Sequence, residues 1–155
     1  MKISNIYIRV NIHEWEDKNK IEESLNLILN NIDRKKIKIN YYQGRGLVSN
    51  KIYVYEVYIN RKDIIEKLFE NLIENGLNIE EIEKNGNFDE NYNLYLRIDK
   101  TDLIVRKRIK IFYSDDSFLL KISFDGYKKN KEKVINFLKE YMNEINKKLS
   151  ENNKI

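Results

Sequence analysis

The sequence predicts an α+β domain, a mainly antiparallel sheet with its helices packed on one face. Three observations carry that prediction. Six segments alternate apolar and polar residues with the period of an extended chain, intervening segments repeat apolar residues at helical spacing, and the order β-α-β-β-α-β-β-β-α runs without a Pro- or Gly-rich linker. A chain of 155 residues with 41% apolar content holds one core, so the expectation is a single domain over residues 1–149 and a frayed tail over 150–155.

The first strand is predicted over Ile3 to Ile12, with Ile6, Ile8, Val10 and Ile12 on one side and Asn5, Tyr7, Arg9 and Asn11 on the other. Ile21, Leu25, Ile28, Leu29 and Ile32 then mark a helix from about Lys18 to Ile32, with Glu16 and Asp17 at the end where the helix dipole favours acids. Lys36 to Tyr42 alternates again and runs into the Gly44-Arg45-Gly46 loop, after which Lys51 to Ile59 reads as a central strand. Arg61 to Asn75 carries a full apolar stripe that Gly76 is placed to end. A short helix over Leu77 to Lys84 and a turn at Asn85-Gly86-Asn87 lead to a strand over Tyr92 to Asp99. Arg106 to Tyr113 and Phe118 to Phe124 are predicted to pair as a hairpin around Ser114-Asp115-Asp116-Ser117, before a last helix from Lys129 to about Leu149.

Composition excludes several classes of function. No apolar run approaches the length of a membrane span, and nothing at the N-terminus resembles a secretory signal, so a cytoplasmic protein without a membrane partner is expected. With no cysteine and a single imidazole, His13, thiolate metal sites and cysteine nucleophiles are out, and no metal or cofactor is expected. The stretch His13-Glu14-Trp15-Glu16-Asp17 reads more simply as a helix entry than as a ligand set. A net charge of +4 leans toward an anionic partner. There is no serine elbow, zinc motif or nucleotide-binding loop, and Asp99, Asp102, Asp115 and Asp116 form no recognisable catalytic pair. Hydrolysis is therefore the weakest of three classes, and a non-catalytic protein is expected.

The informative stretch is Leu94-Tyr95-Leu96-Arg97-Ile98-Asp99, whose outward residues place a tyrosine beside an arginine. If helices cover the face of Ile6 and Leu94, the other face collects Tyr7, Arg9, Lys38, Asn40, Tyr42, Tyr95, Arg97, Arg108, Lys110 and Phe112. Rings that stack on unpaired bases beside cations that hold phosphates make a single-stranded RNA platform. A solvated polar face of an ordinary antiparallel sheet accounts for the same pattern, and the lysines of Arg106 to Lys110 also suit an edge strand.

The segments "IYIRVNIHEWED", "QGRG", "LYLRIDK" and "RIKIFYS", followed by "KEKVINFLKEYM", stand in an order that resembles an archaeal family of RNA-binding, predicted exosome-associated proteins. The chain has Trp15 where that family tends to have Thr, and Thr101 after Lys100 where it tends to have Gln. The resemblance implies a ferredoxin-like or ribosomal-protein-like arrangement and a role in RNA processing or turnover with the exosome. On this reading Arg97, Lys100, Arg108 and Lys110 hold phosphates together with Arg9, Arg45 assists from its loop, and Tyr7, Tyr42 and Tyr95 stack on bases. The alternative is a docking subunit of an RNA-processing assembly that meets its partner through Tyr53, Tyr55 and Tyr58. An edge strand leaves room for a homodimer.

Overall fold

The structure, a computed structural model, describes residues 1–44 and 51–153. Its strands are β1 (Lys2–His13), β2 (Lys38–Gly44), β3 (Ile52–Ile59), β4 (Asn87–Phe88), β5 (Leu94–Asp99) and β6 (Ser117–Asp125). The helices are α1 (Lys18–Ile28), α2 (Lys62–Glu74), α3 (Ile79–Asn85) and α4 (Lys131–Asn152). The six strands form one antiparallel sheet in the order β2-β3-β1-β6-β5-β4. Strands β2, β3, β1 and β6, with α1 following β1 and α2 following β3, make the split β-α-β arrangement of ferredoxin-like folds. None of the helices searched, all among the described residues, is long and apolar enough to cross a membrane.

Local chemistry sets the helix ends. The Asp17 carboxylate accepts from the amides of Asn19 and Lys20 and so caps α1, which means that Trp15 costs the chain no cap. Helix α1 stops at Ile28, short of the predicted Ile32, because the chain turns through a left-handed Asn31; Leu29 and Ile32 stay buried all the same. The buried side chain of Asn71 in α2 then donates 2.8 Å bonds to the carbonyls of Ile28 and Asn30, tying the end of α1 to its neighbour. Helix α2 ends in a Schellman motif at Gly76, whose φ of 114° suits only glycine, with Gly76 donating to the Ile73 carbonyl and Leu77 to that of Leu72. At Gly86 a Cβ would lie 2.6 Å from the Ile82 carbonyl oxygen, so only glycine lets the chain pass between α3 and β5.

One face of the sheet carries the core. Ile6, Ile8, Val10, Val57, Ile59, Leu94, Leu96, Ile98, Leu120 and Ile122 pack against Leu25 of α1, Leu68 and Phe69 of α2, Ile82 of α3 and Leu138 of α4 in one continuous cluster. Helix placement on this face is what frees the other.

The predicted hairpin is not formed. After β5 the chain makes a wide helical turn over Asp102–Arg106, passes through a left-handed Lys107 and returns antiparallel along the outer side of β5. There Asp99 donates to the Lys110 carbonyl, Phe112 donates to that of Arg97, and Ile98 faces Ile111. The return segment and β6 thus flank β5 on opposite sides instead of pairing with each other. Alternation in Arg106 to Tyr113 was real, since Ile109 and Ile111 are buried, but alternation does not name the strand that a segment will lie beside.

Candidate nucleic-acid interface

The uncovered face is defined by register. Across it runs a row in which Lys38 of β2 faces Tyr58 of β3, Tyr58 faces Tyr7 of β1, Tyr7 faces Lys121 of β6, Lys121 faces Tyr95 of β5 and Tyr95 faces Asn87 of β4. The next row reads Asn40, Glu56, Arg9, Leu119 and Arg97. Three rings and four cations therefore share the two rows: Tyr58, Tyr7 and Tyr95 with Lys38 and Lys121 in the first, Arg9 and Arg97 in the second. The Tyr7 and Tyr58 rings lie 4.9 Å apart, Lys38 sits 5.7 Å from the centre of Tyr58, and Lys121 sits 5.7 Å from that of Tyr95. Arg97 is held by the Tyr113 ring at 5.9 Å and by the Ser114 carbonyl at 3.5 Å. Among the described residues, no carboxylate oxygen lies within 4.0 Å of the side-chain nitrogens of Lys38, Arg9, Lys121 or Arg97.

Glu56 is the hub of the β1–β3–β2 part. Its carboxylate accepts from the hydroxyls of Tyr7 and Tyr58. The bond from Tyr7 is the main reason that the Glu56 carboxyl is held below its ordinary range. Burial, with the bond to Glu56 second, pushes the Tyr7 hydroxyl up, so the ring stays neutral. A fixed negative charge here repels anions from this part of the face and accepts hydrogen-bond donors.

Of the residues expected at the site, Tyr7, Arg9, Tyr42, Tyr95 and Arg97 share this face. Lys100 does not reach it. It is 7% exposed, and its Nζ donates to the Asn11 carbonyl at 2.6 Å, to Glu16 at 3.0 Å and to Asp116 at 2.6 Å, so its charge is neutralised within the protein. Arg108 is also displaced, because the return along β5 lays its guanidinium over Gly76 at the end of α2. Lys110 is exposed near Phe112, with its Nζ 3.9 Å from the Asp102 carboxylate. The Arg106 guanidinium beside Asp102 holds that carboxyl below the usual range. Arg45 lies outside the described residues. Tyr53 and Tyr55 stand on the helix side, packed on Tyr41, so they form no common docking strip with Tyr58. Sequence reasoning missed Lys121 and Glu56 on this face and placed Tyr58 only in a docking strip with Tyr53 and Tyr55. Each sits in a predicted strand, but only the strand order brings Tyr58 and Lys121 between Lys38 and Tyr95 and Glu56 between Asn40 and Arg9.

A second cluster closes the far end of β1. His13, stacked on Trp15 at 4.6 Å, lies 3.4 Å from Asp116, and its amide is accepted by Glu16. The ligand atoms of His13, Glu16 and Asp116 fall within 4.8 Å of one another, close enough for a metal ion. Between the two carboxylates stands the Lys100 ammonium, which already supplies the positive charge that a metal would bring. The segments Ile6 to Asp17 and Leu94 to Lys100 are thus joined in space by one ion cluster.

An antiparallel sheet covered by helices on one side and lined with rings and cations on the other defines the class of α+β proteins that present an open sheet face. A protein-family model described as RNA binding matches residues 5–125, and the chain belongs to that family. The fold resembles the crystal structure of a DUF54 protein from Sulfolobus solfataricus, with 29% identity, a TM-score of 0.70, and coverage of 90% of this chain and 98% of that one. A DUF54 protein from Archaeoglobus fulgidus is similar in fold at 24% identity and the same TM-score of 0.70, covering 90% of this chain and 99% of that one. One from Methanothermobacter thermautotrophicus shows 23% identity and a TM-score of 0.70 over 90% and 98% of the two chains. No curated protein is similar to the chain in sequence.

Proposed function

We propose that the open sheet face binds single-stranded RNA without cleaving it. The observation that carries this reading is the continuous row Lys38, Tyr58, Tyr7, Lys121, Tyr95, with Arg9 and Arg97 in the adjacent row. Tyr58 and Tyr95 lie three strand spacings apart, about 14 Å. That suits the two or three bases that a sheet face stacks. The reading without catalysis is supported by the carboxylates nearby, which serve the fold: Glu56 holds phenols, and Asp99 accepts from the Asp102 amide.

Stacking contributes about 1–3 kcal/mol per base. Replacing Tyr58→Ala and Tyr95→Ala together is therefore expected to weaken single-stranded RNA binding by at least about tenfold, read by fluorescence anisotropy. Binding of a duplex of the same sequence, which offers no splayed base, is expected to change little. Equal losses for both RNAs would contradict stacking.

The exosome role that the motif resemblance implies belongs to a second reading. Its support is the exposure of Val105, Phe112 and Tyr113 on the connection between β5 and β6, a surface suited to a protein partner. Co-sedimentation with purified exosome core tests it, and failure of the chain to sediment with that core contradicts it.

A further inference from the structure

At the β2 end of the platform the sheet face opens into a cleft of ≈ 530 Å³ lined by Lys35, Lys36, Lys38, Asn5, Tyr58 and Asn60. That volume is within the range that small ligands occupy. Lys35 and Lys36 come from the 3₁₀ turn Arg34–Lys36 that precedes β2; its cap, Asp33, accepts from the Lys35 amide and is not among the lining residues. Three exposed lysines thus line the cleft together with Ile6, Ile37 and Ile59, beside an exposed tyrosine ring and two carboxamides, and no carboxylate residue is among its described lining. Lys38 and Tyr58 belong to both the cleft and the platform row, so a strand lying along the row runs off the sheet at this point.

We infer that the cleft binds the terminal nucleotide of an RNA strand carrying a phosphomonoester. The inference rests on the platform reading and adds an end preference to it. An internal phosphodiester has one negative charge, whereas a terminal monoester carries about −1.5 to −2 at pH 7. Three lysines acting as mobile point charges favour the second over the first. Tyr58 offers a ring face to the terminal base, and Asn5 and Asn60 offer donors and acceptors to its edge or sugar.

The test uses single-stranded RNAs of one sequence with a 5′-phosphate, a 3′-phosphate or hydroxyls at both ends, titrated against the full chain and against Lys35→Ala/Lys36→Ala. Both lysines are exposed, and circular dichroism verifies that the variant stays folded. One phosphorylated end is expected to bind about tenfold or more tightly than the hydroxyl-ended RNA, and the double substitution is expected to remove that gain while leaving hydroxyl-ended binding within a few fold. Which end gains identifies the polarity of the strand. Equal affinity for all three RNAs would overturn the cleft and leave the platform standing. Absence of binding to any of them would overturn both.

Discussion

Glu56 shows how one residue can organise an open sheet face. It is the acceptor for Tyr7 and Tyr58, and its lowered pKa states that the folded protein favours the ionised form. A carboxylate of this kind contributes stability that is present above its unfolded pKa, about 4.3, and lost as pH falls through the lower folded value. Thermal melts between about pH 5 and pH 3 are thus expected to fall more steeply for the natural protein than for Glu56→Gln. Parallel curves would show that the phenols do not depend on the charge. At this scale the sequence was half legible. Tyr7, Arg9, Tyr95 and Arg97 follow from alternation alone, because the side-chain period of a strand is two. Glu56 and Lys121 needed the partner strands, which no local pattern names.

Among elements, the junction where β1, β5 and the segment before β6 meet is held by Lys100. An ammonium this buried is stable only because Glu16, Asp116 and the Asn11 carbonyl surround it. Lys100→Met would leave two carboxylates near His13 without their cation and is expected to cost about 3–5 kcal/mol, lowering Tm by roughly 10 °C. RNA affinity measured well below the melt is expected to stay within about twofold, since Lys100 has no place on the open face. A stable variant with lost RNA binding would return Lys100 to the interface. The same junction explains why the sequence misleads here. Arg106 to Lys110 carries four cations in five residues, as Arg34 to Lys38 does, and a regular strand would present Arg108 and Lys110 together. The wide turn after β5 and the left-handed Lys107 instead send Arg108 to Gly76 and Lys110 toward Asp102. The start of α1 at Asp17 and the end of α2 at Gly76, in contrast, were readable, because capping chemistry is local, whereas the apolar stripe ran α1 on past its true end at Ile28.

For the molecule as a whole, one-sided burial is the link from fold to function. The helices α1 to α4 satisfy one apolar face and leave the opposite face with four cations that no carboxylate approaches within 4.0 Å among the described residues. The direct measurement is the salt dependence of binding to a hydroxyl-ended single-stranded RNA. With Lys38, Arg9, Lys121 and Arg97 on phosphates, log K against log salt is expected to fall with a slope of about −3, and Arg97→Ala/Lys121→Ala is expected to halve that slope. A slope near zero, or one unchanged by the double substitution, would contradict the claim that this face holds the RNA backbone.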